Sequence, residues 1–171
     1  AGAPQADESA ALPFVAAALQ VVFTAQASQL AASQLQALDA HGVCPCCGSR
    51  PVASVVRLGA AINNLRYLHC SLCSTQWHMV RIKCTHCEST KGLVYESMAP
   101  VDATEEESKG REPVVQAEAC SECGHYLKLV HADRDVMAEP VADDLATLTL
   151  DLLVAETGLQ RHGVNLLLLF G

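Results

Sequence analysis

Eight of the chain's nine cysteines stand in four C-x-x-C pairs: Cys44/Cys47, Cys70/Cys73, Cys84/Cys87 and Cys120/Cys123. Two intervening residues let one tight turn aim both sulfurs at a single point. Two such turns complete a tetrahedron, the arrangement of structural zinc and of rubredoxin-type iron. The intervals decide the pairing. Between Cys47 and Cys70 lie 22 residues and between Cys87 and Cys120 lie 32, each enough for a strand, a turn and a returning strand. Cys73 and Cys84 are separated by only 10, enough for one connecting strand. The expected ligand sets are therefore Cys44, Cys47, Cys70 and Cys73 in one site, and Cys84, Cys87, Cys120 and Cys123 in the other. One unit is written twice, with Cys70-Ser-Leu-Cys73 echoed by Cys120-Ser-Glu-Cys123. Disulfides are the competing use, and the two-residue spacing argues against them in a reducing compartment.

The regions around the cysteines set the fold class. Residues 1–12 read as a tail, with a helix from about Pro13 to Leu38 stopped near Gly42. Short β-branched or aromatic runs follow at Val52–Arg57, Leu65–His69, Gln76–Ile82, Gly92–Met98, Val114–Glu118 and Tyr126–His131, each touching or linking the cysteine turns. An acidic loop is expected over 99–113. A last helix, capped by Asp143 or Asp144, runs toward Gly158. The expectation is an α+β chain: two tandem rubredoxin-like or zinc-ribbon β modules flanked by N- and C-terminal helices. The divisions are 1–42 (tail and helix), 43–80 (first ribbon), 81–132 (second ribbon) and 133–171 (helix and apolar tail).

Charge and composition narrow the function. Half of the residues are apolar, which excludes wholesale disorder. The net charge of −8 argues against nucleic acid, whose affinity rests on Lys and Arg. Residues 44–131 hold nine basic and nine acidic side chains, so the excess lies in the flanks. Four thiolates around a divalent ion add about −2 per site. Arg50, Arg66, Arg81, Lys83, Lys91 and Lys128 either offset this or, the favoured reading, lie solvated on strand faces.

Gly48 and Gly124 each follow a second cysteine, where a positive φ is needed; Ser74 and Glu88 occupy the equivalent places. Cys46 reads as a passive thiol. His41, His69, His78, His86, His125, His131 and His162 read as exposed or as neighbours of ligands, and Trp77 as the cap of a small core. Leu12–Ala27 lacks the basic flank of a signal peptide, with Asp7 and Glu8 in its place. No run of about 20 consecutive apolar residues appears, so no membrane insertion is expected. A start at Ala1 instead of Met, straight into a helix, and a stop just after five apolar residues suit a fragment of a longer protein. There is no Gly-rich phosphate loop, H-E-x-x-H or nucleophile elbow, and two closed Cys₄ sites argue against metal hydrolysis. A non-enzyme is expected.

The segment Leu65-Arg-Tyr-Leu-His-Cys-Ser-Leu-Cys-Ser-Thr-Gln-Trp-His-Met-Val-Arg-Ile-Lys-Cys-Thr-His-Cys87 resembles the formate dehydrogenase accessory protein FdhE family. So do Cys44-Pro-Cys-Cys-Gly-Ser-Arg-Pro51, Ala119-Cys-Ser-Glu-Cys-Gly-His-Tyr-Leu-Lys128 and Asp143-Asp-Leu-Ala-Thr-Leu-Thr-Leu-Asp151. The likeness runs over about residues 13–165. It implies a cytoplasmic factor needed to make active respiratory formate dehydrogenase, which binds the catalytic subunit before twin-arginine export. It also implies two metal ions, iron or zinc, on the eight paired cysteines. Cys46 and the missing N-terminal helical region depart from the family pattern. A homodimer is compatible with this reading. The rivals are a rubredoxin-like electron carrier and a nucleic-acid-binding ribbon.

Overall fold

In the computed structural model, residues 6–35, 38, 40–58, 65–98 and 112–168 are described. The expected acidic loop lies almost entirely outside them. Helix α1 spans Ala6–Ala27. A 3₁₀ turn follows at Ala32–Gln34. The strands are β1 (Pro51–Arg57), β2 (Leu65–Cys70), β3 (Gln76–His78), β4 (Leu93–Glu96), β5 (Val115–Cys120) and β6 (His125–His131). Helices α2 (Pro140–Ala146) and α3 (Leu148–Glu156), the short β7 (Gln160–Arg161) and a 3₁₀ turn at Leu166–Leu168 complete the chain.

All strands join one sheet in the order β3-β2-β1-β6-β5-β4. Each cysteine unit contributes an antiparallel hairpin, β1/β2 and β5/β6. The hairpins meet through a parallel pairing of β1 with β6, Ser54 opposite Leu129 and Val56 opposite His131. The rest of that flank of β6 is taken by β7. The two ribbons therefore share a sheet. Interior strands explain why β1 and β6 are almost wholly buried instead of alternating.

Three apolar clusters hold the layers together. Val52, Ala53 and Val130 pack under Ala138 and Val141 of the α2 region. Ala117, Ala119 and Tyr126 meet Leu150 and Val154 of α3. Leu68, Met79 and Leu127 pack with Trp77, the expected cap. The Trp77 indole N–H also donates to the His41 carbonyl at 2.8 Å.

Helix boundaries differ from expectation for identifiable reasons. α1 starts at Ala6, so Pro13 lies inside it and leaves the Ser9 carbonyl without its usual N–H partner. It ends at Ala27, where Ser28 turns its hydroxyl onto the Ala25 carbonyl and the Gln29 and Leu30 amides bond three residues back. The C-terminal helix is two helices. Glu139 is the cap, accepting from the Ala142 amide while Asp143 accepts from the Glu139 amide. The break falls at Thr147 (φ −116°, ψ 33°), whose hydroxyl bonds the Asp143 carbonyl. There the Lys128 ammonium takes the Asp144 and Thr147 carbonyls. β3 is shorter than its run because the chain turns at Val80–Lys83.

One sequence reading is corrected here. Ala10–Ala27 of α1 has mean hydropathy 1.6 and is long and apolar enough to cross a membrane by length and composition. Counting uninterrupted apolar residues misses this, because Gln20, Thr24 and Gln26 break the run without lowering its mean much. In the fold, the Gln20 amide donates to the Ser71 carbonyl and the Thr24 hydroxyl meets the Ser74 hydroxyl, so α1 lies along the Cys70–Cys73 turn.

Candidate metal centres

The four cysteine turns are alike. The amides of Gly48, Glu88 and Gly124 each bond the carbonyl of the first cysteine in their turn at 2.9–3.0 Å. Each turn closes with a left-handed residue after the second cysteine: Gly48 (φ 76°), Ser74 (φ 55°), Glu88 (φ 61°) and Gly124 (φ 69°). Nothing lies within 4 Å of a Cβ built on Gly48 or Gly124, so the torsion, not crowding, favours glycine. Ser74 and Glu88 adopt the same torsion at a cost of about 1 kcal/mol or more.

Two turns face each other in each ribbon. Cys44 Sγ is 3.5 Å from Cys73 Sγ and Cys47 Sγ 3.4 Å from Cys70 Sγ. In the second set, Cys84–Cys123 and Cys87–Cys120 are both 3.8 Å apart. All four sulfurs of each set lie within 4.8 Å of one another. A tetrahedron with metal–sulfur bonds of about 2.3 Å has edges of about 3.8 Å. A disulfide needs about 2.05 Å. The structure thus brings together the residues of each expected set, with no disulfide among them.

Backbone amides favour thiolate, and burial opposes it. Cys44 Sγ accepts from the Cys46 amide, Cys70 Sγ from those of Leu72 and Cys73, and Cys84 Sγ from that of His86, each at 3.4 Å. A hydrogen bond from Cys70 draws Cys44 down to about 5. That same bond, with burial, pushes Cys70 up. Burial raises Cys47, Cys84 and Cys123, the last to about 12. Four adjacent thiols cannot all ionise unaided, and a cation among them removes the obstacle. The centres also differ in exposure. Cys44, Cys70 and Cys73 are buried beneath Phe23 and Ala27 of α1, whereas Cys87 is exposed.

Two of the six basic residues depart from the favoured reading. Arg66 and Lys128 are buried, not solvated. Arg66 reaches from the first ribbon into the second, meeting Glu118 Oε1 at 2.7 Å and Thr85 Oγ1 at 2.6 Å. It also donates to Ser54 Oγ and to the Val80 and Lys83 carbonyls. Burial outweighs this partner and pushes Glu118 up to about 7. Lys128 meets Asp151 at 2.7 Å and Asp144 at 3.3 Å. Asp144 also accepts from Arg161 on each carboxylate oxygen at 2.6 Å and from the Asn165 amide at 2.8 Å. Arg50, Arg81 and Lys91 are exposed, as expected. Lys83 pairs with Glu88, which also accepts from His41.

Sequence reasoning missed these charge networks and a histidine cluster. The His86 and His125 rings stack at 3.8 Å, and His162 meets His86 edge-on at 5.1 Å. The available signal was a histidine in each turn region of the second unit, Cys84-Thr-His86-Cys87 and Cys123-Gly-His125, with no counterpart in the first.

Comparison with known proteins agrees with the motif resemblance. Residues 43–81 match the family described as FdhE, central domain, and residues 82–168 match FdhE, C-terminal domain. A protein FdhE homolog of Edwardsiella ictaluri is 44% identical over 153 residues, covering 89% of this chain and 46% of that protein. One from Stutzerimonas stutzeri is 44% identical over 159 residues, covering 93% and 49%. The crystal structure of the FdhE protein from Pseudomonas aeruginosa superposes with a TM-score of 0.80 at 41% identity, covering 94% of this chain and 53% of that one. The chain spans about half the length of these relatives, and it belongs to the FdhE family.

Proposed function

We propose that this chain is the metal-binding part of a non-enzymatic accessory factor that matures a respiratory formate dehydrogenase in the cytoplasm. The carrying observation is the pair of Cys₄ clusters fixed in one sheet on an FdhE-family frame. Cys44, Cys47, Cys70 and Cys73 would hold one ion and Cys84, Cys87, Cys120 and Cys123 the other, iron or zinc. The sulfur spacing suits either. The ions tie the turns together and so supply folding energy. The rigid surface they support would contact the formate dehydrogenase catalytic subunit.

Two measurements test this. Metal analysis of the purified chain should give two ions per chain, with Cys70→Ser or Cys120→Ser losing metal and Cys46→Ser keeping both. A pull-down with the catalytic subunit as bait should recover the protein from cells. Its consistent absence would count against the assembly role. The N–H···S bonds at Cys44 and Cys70 favour a second reading, electron transfer by rubredoxin-like iron. That reading requires a reversible one-electron couple and is excluded if the zinc form is fully active.

A further inference from the structure

We propose a third metal position beside the second sulfur cluster, formed by His86, His125 and Cys123 and suited to a borderline divalent ion of the zinc, cobalt or nickel class. It rests on the reading that the Cys₄ clusters are loaded. One ring nitrogen of each histidine and Cys123 Sγ all lie within 4.8 Å of one another.

His125 is set up as a ligand. Its Nδ1 lies 2.8 Å from the Cys123 carbonyl, which can only accept. Nδ1 therefore carries the proton, and Nε2 presents its lone pair. Metal-binding histidines are typically oriented in this way, by donating the other N–H to a carbonyl. His86 is exposed. Two parallel rings cannot both aim in-plane lone pairs at one ion, so loading requires His86 to rotate off the stack, and its exposure permits this.

An independent observation points to the same cleft. His162 lines it together with His86 and His125. It is 9% exposed, and neither of its ring nitrogens has a partner among the described residues. Buried imidazole nitrogens are normally satisfied. A water carried by an ion at the neighbouring pair would supply a donor or acceptor.

Charge favours the position as well. A divalent ion within four thiolates leaves about −2 on the cluster. A second divalent ion sharing the Cys123 sulfur offsets it. The first ribbon lacks this histidine pair, because Cys46 and Thr75 stand where the second has His86 and His125.

The test starts from the full chain carrying two zinc ions and adds Co(II). The wild type should bind one further equivalent, with visible d–d bands. His125→Ala and His86→Ala should each weaken that step at least 10-fold while retaining both zinc ions and the far-UV circular dichroism of the wild type. A wild type that stops at two ions overturns the third position alone. A third equivalent that persists unchanged in both variants also overturns it, as a surface ion elsewhere. A chain that takes up neither zinc nor iron overturns this position and the Cys₄ reading together.

Discussion

Replacing Arg66 by methionine tests how the two ribbons are held together. The guanidinium is fully buried and spans both units, from Ser54 on β1 to Thr85 and Glu118 in the second ribbon. Its removal strands a buried carboxylate. Breaking a buried ion pair costs about 3–5 kcal/mol. The lower end applies, because Glu118 already sits at about 7 and takes up a proton instead of remaining charged. Ser54 and Thr85 are buried, and each loses a hydrogen bond worth about 1 kcal/mol. Val80 is exposed and Lys83 is half-buried, so their carbonyls can turn to water. The sum is about 5 kcal/mol, or a fall in Tm of roughly 10–20 °C for a chain of this size. Trp77, the single tryptophan, packs beside Leu68 and Leu127 and reports the transition by fluorescence. The double variant Arg66→Met/Glu118→Leu should recover most of the loss, since replacing both partners of a buried pair by apolar groups is often neutral. A single variant within about 1 kcal/mol of wild type, or a double variant no better than the single, would refute the reasoning.

Asp144 gathers Lys128, Arg161 and Asn165 with no exposed surface of its own. Asp144→Ala should destabilise by about 3–5 kcal/mol in urea titration, and Asp144→Asn by less. A Cβ on Gly42 would stand 2.4 Å from the Thr85 carbonyl oxygen, so Gly42→Ala should cost about 1–3 kcal/mol by thermal melting. Burial holds His131 below its ordinary value, so the unfolded chain binds its proton first. Stability should therefore fall as pH drops below about 6.5, and His131→Gln should flatten that slope in denaturation series at several pH values.

The cysteine clusters were the most legible part of the sequence, because C-x-x-C spacing is a local rule and the interval lengths leave one sensible pairing. Ser74 and Glu88 were also visible as departures at a torsion that favours glycine. The strands lay where β-branched runs put them. Their order did not follow, because the parallel pairing of Ser54 with Leu129 leaves no local mark in either strand. Arg66 and Lys128 looked like surface charges for the same reason. Their partners Glu118, Asp144 and Asp151 are 16 to 52 residues distant, and only the fold brings them together. The helix ends were misjudged where a side chain, Ser28 or Lys128, competes for backbone carbonyls.

The junction between the hairpins has a consequence for synthesis. Ser54 waits 75 residues for Leu129. On the ribosome, the first hairpin and its cysteine turns emerge complete while β1 still presents a row of unpaired amides and carbonyls under apolar side chains. Such an edge invites aberrant pairing with other nascent chains. The same row is left bare if the two halves are produced as separate polypeptides, so co-expression of both, not either alone, is the route to a well-behaved split protein.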